Sequence, residues 1–178
     1  MAVNGSSHFQ TANAQAKAPT PATIINVPAM RTASESSCHS GMETPRSVAS
    51  EVNGLALSVD ERVLYVADTG RSHVPDGPRH MRRYDIDVTA GRVTGGGELF
   101  ATCPVGAFDG FRLDVDGRIW TSGHLGVHCY DSDGTLLGTV RLPETCANVE
   151  FGGTDRRTLF MTATSSLYAL DLAVAGAR

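Results

Sequence analysis

From residue 51 onward the chain alternates short runs of apolar and β-branched residues with turns that contain Gly and Asp. Short runs of this kind, spaced at fairly regular intervals, are typical of the strands of a β-sandwich, a β-barrel or a β-propeller. Residues 1–50 do not show the pattern. The distribution of apolar positions therefore predicts an all-β domain over residues 51–178.

Three segments of this domain repeat one another. They start at residues 53, 109 and 147 and read NGLALSVDERVLYVADTG, DGFRLDVDGRIWTSGHLG and ANVEFGGTDRRTLFMTAT. Each contains a strand, a turn and a second strand, and each is followed by a third strand; the first two segments add a fourth. Four antiparallel strands in a unit of about 40 residues are the pattern of a propeller blade. The predicted blades occupy about 51–106, 107–145 and 146–175.

The first 50 residues differ in composition from the rest of the chain. They are rich in Ala, Ser, Thr and Pro, and their only apolar run is IINVPAM at 24–30. A segment with so few large apolar side chains buries too little surface to offset the entropy lost when it is ordered. We therefore predict a disordered leader over residues 1–50.

Composition and charge argue against several classes of protein. A net charge of −4, with 15 Lys and Arg in no basic run, does not favour a nucleic-acid surface. No apolar stretch approaches the roughly 18 residues of a membrane span, and the N-terminus lacks the pattern of a signal peptide. Cys38, Cys103, Cys129 and Cys146 form no Cys-x-x-Cys pair, so reduced thiols in a cytoplasmic protein are expected.

The repeat places an amide and a carboxylate at equivalent positions. The first strand of a blade lines the central channel, and Asn53 and Asp109 each precede such a strand, so both are expected at one mouth of the channel. Ala147 occupies the third equivalent position and offers no ligand. Oxygen atoms of Asn and Asp suit a hard divalent cation. Asn and Asp before Gly also form turns through local hydrogen bonds, and the repeat alone leaves both interpretations open.

The second strand of each blade returns to the same face as the start of the first. We therefore expect Asp68, the loop 71–80 with His73 and His80, and the residue His124 to overhang this mouth. These four side chains are the candidates for contacts with a substrate. For the histidines, a solvated position on a loop is the alternative interpretation.

Two further motifs have the spacing of metal sites, but ordinary strands and turns explain both more simply. His124 and His128 have the spacing of a helical zinc pair, but nearby glycines and a strand context argue against a helix. The segments 114–117 and 131–134 resemble the start of a calcium loop, yet no Glu closes a twelve-residue loop from either. We predict hairpin turns at both segments.

Several motifs of the domain resemble the regucalcin–gluconolactonase family of six-bladed propellers. That family carries P-N-G-L-A-F-S-P-D followed by L-Y-V-x-D-T, and later P-D-G-x-x-x-D-x-D-G-x-x-W. This chain has VNGLALSVD, LYVADT and FDGFRLDVDGRIW in the same order. Its continuation, GVHCYDSDGTLLGTVRLPE, is similar to the C-terminal portion of bacterial gluconolactonases. The resemblance covers about residues 51–175.

The resemblance implies a metal-dependent hydrolase that converts a small sugar lactone, such as glucono-1,5-lactone, to the aldonic acid. In the family the Asn and the Asp of these motifs bind one divalent metal ion, and the Asp is also the general base. They match Asn53 and Asp109. Oxygen ligation favours Ca²⁺, with Zn²⁺, Mg²⁺ and Mn²⁺ as alternatives. The family Pro before each ligand is replaced here by Val52 and Phe108.

The resemblance does not extend to the family's first three blades, which carry a Glu ligand and the substrate contacts. Glu35, Glu43 and Glu51 stand in no matching context. We therefore expect the last three of six blades behind an unrelated leader, with little or no activity in this chain alone. The alternative function is a non-catalytic propeller fragment or binding module of the same family. Unpaired blade edges would favour self-association.

Overall fold

A computed structural model describes residues 52–72 and 75–178 of the chain. Within these residues it has eleven β-strands and one 3₁₀ helix, Gly70–Ser72. The strands are β1 (Val52–Leu57), β2 (Val63–Asp68), β3 (His80–Asp87), β4 (Arg92–Thr102), β5 (Phe111–Leu113), β6 (Ile119–Gly123), β7 (Gly126–Tyr130), β8 (Leu136–Arg141), β9 (Cys146–Gly152), β10 (Thr158–Ala163) and β11 (Leu167–Asp171). No helix of the described residues is long and apolar enough to cross a membrane.

The strands form three antiparallel sheets, each a meander in chain order. Blade 1 consists of β1–β4, blade 2 of β5–β8 and blade 3 of β9–β11. The all-β, propeller-type fold predicted from the repeat is confirmed. Residues 1–50, for which a disordered leader was predicted, lie outside the described part of the chain.

The first strands of successive blades lie side by side, with β1 against β5 and β5 against β9. We call the end at which these three strands begin the top of the blades. Two glycines allow the close approach there. A Cβ at Gly54 would lie 2.6 Å from the carbonyl oxygen of Asp109, and a Cβ at Gly110 would overlap the side chain of Asn148. Larger residues at either position would separate neighbouring blades.

Blades 1 and 2 enclose one hydrophobic core, in which aromatic side chains meet edge to face. The rings of Tyr65 and Phe100 are 5.1 Å apart, and those of Phe108 and Tyr130 are 5.7 Å apart. Such pairs add to the stabilisation that area burial gives. The other buried members of this core are Ala67, Met81, Ala101, Cys103, Phe111, Leu113 and Ile119.

A second core lies between blades 2 and 3. The ring of Trp120 in β6 meets that of Phe151 in β9 at 6.2 Å and 90°. Alternate residues of each strand contribute, as expected for sheets that pack face to face. The remaining buried members are Val127, Cys129, Cys146, Val149, Leu159 and Met161.

The segments 114–117 and 131–134 are hairpin turns, and the first contains a buried carboxylate. Asp114 is 0% exposed, and its Oδ1 accepts hydrogen bonds from the backbone N–H groups of Asp116 and Arg118. Its Oδ2 accepts from Arg118 Nε and from Trp120 Nε1, both at 2.9 Å. Four donors therefore compensate the loss of water around this charge.

Residues 175–177 connect blades 2 and 3 at the end opposite the top. Ala175 O accepts from Val115 N, and Ala177 N donates to Leu113 O, each at 2.9 Å. The guanidinium of Arg156, from the β9–β10 turn, donates to the carbonyl oxygens of Gly176 and Ala177. The segment thus bonds to the first hairpins of both blades.

The outer faces of blades 1 and 3 carry exposed apolar side chains. Leu55 in β1 alternates with residues packed on the first core and is 67% exposed. Phe160 in β10 lies between the buried Leu159 and Met161, so it points away from blade 2. Among the described residues no further sheet covers either face.

We therefore expect the chain to self-associate through these faces, because pairing removes apolar surface from water. Light scattering on the purified protein should give a mass above that of the monomer, rising with concentration. Phe160→Glu should shift the distribution toward the monomer. Val88→Glu, a change of an exposed residue in the β3–β4 turn, is the control and should leave it unchanged. A monomer at high concentration would count against the expectation.

The buried carboxylate of Asp114 predicts a large effect of its removal on stability. Asp114→Ala leaves the indole N–H of Trp120 and two backbone N–H groups without their acceptor, and should lower the free energy of unfolding by about 3 kcal/mol. Asp114→Asn, which keeps one acceptor oxygen, should cost less. Urea unfolding measures both. Asp133→Ala, in the exposed turn 131–134, should cost less than about 1 kcal/mol. Equal losses at positions 114 and 133 would contradict this interpretation.

Candidate functional site

Asn53 and Asp109 meet at the top of the blades. Asn53 Nδ2 donates a hydrogen bond of 2.7 Å to Asp109 Oδ1. The two residues belong to neighbouring blades, so this bond crosses the seam between them. Asn53 is the second residue of β1 instead of the residue before it, because β1 already starts with Val52, which pairs with Asp68.

The backbone on both sides of the Asp109 side chain is fixed. Asp109 N donates to Ser122 O in β6 at 3.3 Å, and the Asp109 carbonyl lies against Gly54. The next residue, Gly110, donates its N–H to Ala147 O of blade 3 at 3.1 Å. Asp109 is therefore held by three blades, and its carboxyl group is left to contact Asn53.

Burial raises the pKa of the Asp109 carboxyl group above its ordinary value, and the hydrogen bond from Asn53 acts in the opposite direction. A carboxylate with a raised pKa is a better proton acceptor than a fully solvated one. The side chain is only half-buried, so water or a small ligand can reach it. The position therefore suits a general base.

Asp68 and His80 form a second polar group at the top of blade 1. The two residues are paired in register between β2 and β3, and Asp68 Oδ2 lies 3.8 Å from His80 Nε2. Asp68 is buried, and its Oδ1 accepts from Gly70 N at 3.4 Å. His80 Nε2 accepts from Arg82 Nε at 2.9 Å. No hydrogen bond among the described residues joins this group to Asn53 or Asp109.

Burial and the neighbouring Arg82 lower the pKa of His80, and Asp68 partly offsets them. The lowered pKa favours the neutral imidazole. His80 accepts a hydrogen bond from the Arg82 guanidinium, which orients its ring at the start of β3. His73, in the same loop, lies outside the described residues, as do Glu35, Glu43 and Glu51.

His124 is exposed in the turn between β6 and β7, and its Nδ1 lies 3.1 Å from Thr145 Oγ1. His128 is buried in β7, where its Nδ1 lies 2.9 Å from Thr139 Oγ1. The two histidines thus have different partners and do not form a zinc pair. Within residues 52–72 and 75–178, no group of three or more His, Cys, Asp or Glu side chains is arranged to hold a metal ion.

A hydrogen-bonded carboxylate orders the loop that carries Thr145. Glu144 accepts from Ser165, from Ser166 and from the Tyr168 hydroxyl at 2.8 Å. These donors hold the pKa of Glu144 at about 2. The β8–β9 loop is therefore fixed to the β10–β11 turn beside the top of blade 3.

Asn148 is a polar residue at the top that the sequence did not identify. It takes the place of Gly54 and Gly110 in the third repeat, and its side chain packs directly on Gly110. Asn148 Oδ1 accepts from Val149 N at 2.8 Å, so its NH₂ group is left to donate to a ligand. The sequence feature that could have identified Asn148 is the change from glycine to asparagine at this position of the third repeat.

The donor set at the top suits an oxygen-bound cation. Asn53 offers an amide oxygen and Asp109 a carboxylate, the side-chain ligands that Ca²⁺ and Mg²⁺ prefer. No thiol or imidazole of the described residues bonds to either group, so a soft-ligand site is not formed. Two protein ligands fit a cation that keeps water for most of its remaining positions.

The chain matches one family model, described as the SMP-30/Gluconolactonase/LRE-like region, over residues 15–165. The match starts within the first 50 residues, which lie outside the described part of the structure. No curated protein matches the chain by sequence.

Solved structures of the same kind resemble the chain. A structural-genomics target assigned as a gluconolactonase is 33% identical, with a TM-score of 0.65, over 74% of this chain and 42% of that chain. A gluconolactonase of Xanthomonas campestris is 34% identical, with a TM-score of 0.58, over 68% of this chain and 37% of its own. Regucalcin of Agrobacterium tumefaciens, a calcium-binding protein, shares the fold at 24% identity and a TM-score of 0.58, over 72% of this chain and 48% of its own. The chain thus spans less than half the length of each.

The contact between Asn53 and Asp109 predicts a shift of a titration. Asn53→Ala removes the hydrogen bond that lowers the pKa of Asp109, so that pKa should rise further; carbon-detected NMR of the carboxyl group measures it. A raised folded-state pKa means that Asp109 contributes less to stability as the pH rises from the unfolded value, about 3.9, through the folded value. This loss should be larger in the variant.

Thr145→Ala is the control, because it removes a polar side chain at the same end of the blades that bonds to His124 and not to Asp109. The pKa of Asp109 should remain at its wild-type value in that protein. An unchanged pKa in Asn53→Ala would show that the hydrogen bond is not formed in solution.

Proposed function

The chain belongs to the SMP-30/gluconolactonase/LRE-like family, and from this we propose that it is part of a metal-dependent sugar lactonase. Its substrate would be an aldonolactone such as glucono-1,5-lactone, and its product the aldonic acid. The similarity to a gluconolactonase at 34% identity supports this choice of substrate class. Because the chain spans only part of these relatives, the proposal concerns the portion of the site that its own residues form.

The observation that carries the proposal is the contact of 2.7 Å between Asn53 and Asp109. The two residues occupy the N-G and D-G motifs of different blades, yet their side chains meet at the top of the blades. A turn-forming role alone requires only local hydrogen bonds. A bond across the seam brings the two motif residues within reach of one ligand.

Asn53, through its amide oxygen, and Asp109, through its carboxylate, would hold the metal ion. Ca²⁺ is favoured, since both ligands are hard oxygens and the similar regucalcin is described as calcium-binding. When bound, the ion would supply positive charge that polarises the lactone carbonyl.

Asp109 would act as the general base. Its carboxylate takes a proton from a water molecule as the water oxygen bonds to the lactone carbonyl carbon. The ring C–O bond then breaks, and the proton goes to the ring oxygen, which becomes a hydroxyl group. No covalent bond to the protein forms. The raised pKa of Asp109 favours this proton transfer near neutral pH.

Asn148 would orient the substrate. Its side-chain oxygen lies beside Gly110 and is bonded to Val149 N, which leaves its NH₂ group to donate to a hydroxyl or ring oxygen of the sugar. Because the amide oxygen already accepts from the backbone, the side chain can only donate to a ligand, and it therefore selects a ligand with an acceptor at this point. It therefore contributes to substrate orientation and not to metal binding.

The test is lactone hydrolysis, followed by acid release, with and without Ca²⁺, Mn²⁺, Mg²⁺ or Zn²⁺. Two protein ligands give weak affinity, so the chain alone should exceed the uncatalysed rate only slightly. A fusion protein that adds three upstream blades of a relative should be active. In it Asp109→Ala should abolish turnover, and Asp109→Asn should keep part of the metal affinity while lowering kcat by about 100-fold or more.

Asp133→Asn, a matched change in an exposed turn, should leave both properties unchanged. Full activity of Asp109→Asn would show that another residue is the base. Metal binding without hydrolysis of any lactone by the unmutated fusion protein would favour the binding module over the enzyme.

A further inference from the structure

Ser122 is a fully buried residue directly behind the Asp109–Gly110 segment. It lies next to the end of β6, and its relative exposure is 0%. Its hydroxyl oxygen is 2.9 Å from Gly110 O and 2.9 Å from Ala147 O. These two carbonyls belong to different blades, so the hydroxyl lies in the seam between blades 2 and 3.

The backbone of Ser122 bonds to the same segment. Ser122 N donates to Gly110 O at 2.9 Å, and Ser122 O accepts from Asp109 N at 3.3 Å. Gly110 N in turn donates to Ala147 O at 3.1 Å. The hydroxyl has one proton and donates to one carbonyl at a time, but in either case it completes a closed set of bonds around Gly110.

Burial of a hydroxyl group at this position costs free energy unless the group forms hydrogen bonds. Ser122 lies on the same face of β6 as Trp120, which faces the apolar core between blades 2 and 3. A small apolar residue would fit there without the loss of water that a buried hydroxyl incurs. What the hydroxyl adds is one further bond at the seam, to Gly110 O of blade 2 or to Ala147 O of blade 3.

The position of Asp109 depends on the packing at this seam. A Cβ at Gly54 would lie 2.6 Å from the carbonyl oxygen of Asp109, and a Cβ at Gly110 would overlap Asn148 Oδ1, so the backbone around Asp109 lies close to both neighbouring blades. The hydroxyl of Ser122 adds a bond to Gly110 O or to Ala147 O at the same place.

We propose that Ser122 is a positioning residue: its hydroxyl bonds to Gly110 O or to Ala147 O at the seam and so holds the base Asp109 in contact with Asn53. This inference rests on the proposed function for the role of Asp109. The arrangement of bonds itself does not depend on that function, and the experiment below separates the two.

The first measurement is cation affinity of the purified chain, by titration with Ca²⁺ in a calorimeter and with Tb³⁺ by luminescence. Groups that orient a metal ligand typically change the affinity by tenfold or more. Ser122→Ala should therefore weaken binding by about tenfold. Val149→Ala is the control for lost stability, because Val149 packs in the same inter-blade core without a contact to Asp109. It should destabilise the fold and leave affinity within about twofold.

The second measurement is amide hydrogen exchange of the metal-free protein. The N–H groups of Asp109 and Gly110 should exchange about tenfold faster in Ser122→Ala, while those of β7 are unchanged. Val149→Ala should not accelerate these two amides selectively. If the wild-type chain binds no cation, the metal-dependent function fails, and exchange at Asp109 and Gly110 alone decides the role of Ser122.

Ser122→Cys is the second variant if the alanine protein does not fold. Its thiol has the same branching as the hydroxyl, although sulfur is larger, and it is a weak donor, so affinity should fall in a variant that folds. Wild-type exchange at Asp109 and Gly110 in a folded variant, with wild-type affinity, would overturn the proposal. A loss of affinity in Val149→Ala equal to that in Ser122→Ala would overturn it as well, because general destabilisation would then explain both.

Discussion

The close approach of the first strands at the top of the blades is the constraint on which the rest of the site depends. Gly54 and Gly110 have no side chain where the neighbouring blade comes nearest, so the Asp109 carbonyl and Asn148 lie against bare backbone. Only at this separation does the side chain of Asn53, in one blade, reach the carboxylate of Asp109 in the next. The two hydrophobic cores hold the blades together. The two glycines then allow the strands to approach closely enough for the polar groups of neighbouring blades to touch.

Two carboxylates of blade 2, Asp114 and Asp109, differ in burial and in hydrogen bonding, and this difference gives the first a structural role and leaves the second available for chemistry. Asp114 has four donors, including a guanidinium and an indole, so its charge is fully compensated in the interior. Asp109 has the single amide of Asn53, and burial is the larger influence on its pKa. Saturated hydrogen bonding makes the first carboxylate inert. The second retains a lone pair and an unsatisfied charge, which are what a cation or a proton requires.

The sequence predicted the strands and a shared location of Asn53 and Asp109, because both follow from periodicity; it did not predict the hydrogen bond between them. Alternation with a period of two identifies strands, and equivalent positions in a repeat share a location. Other features depend on lateral contacts between blades, which no local pattern encodes. Ser122 appears in the sequence as one polar residue at a strand end, and residues 175–177 carry no strand signal although they bond to two blades. Asn148 was missed because, in the internal repeat, Ala147 and not Asn148 is equivalent to Asn53 and Asp109.

A site shared between blades depends on the seam more than on any one sheet. Asn53 comes from blade 1 and Asp109 from blade 2, while the backbone of Asp109 and Gly110 is bonded to Ser122 and to Ala147 of blade 3. Small displacements of one blade against another would therefore separate the ligands while each sheet keeps its own hydrogen bonds. Loss of the site should precede loss of the fold. The polar groups of the seam add little apolar burial, so they contribute to the geometry of the site more than to the stability of the fold.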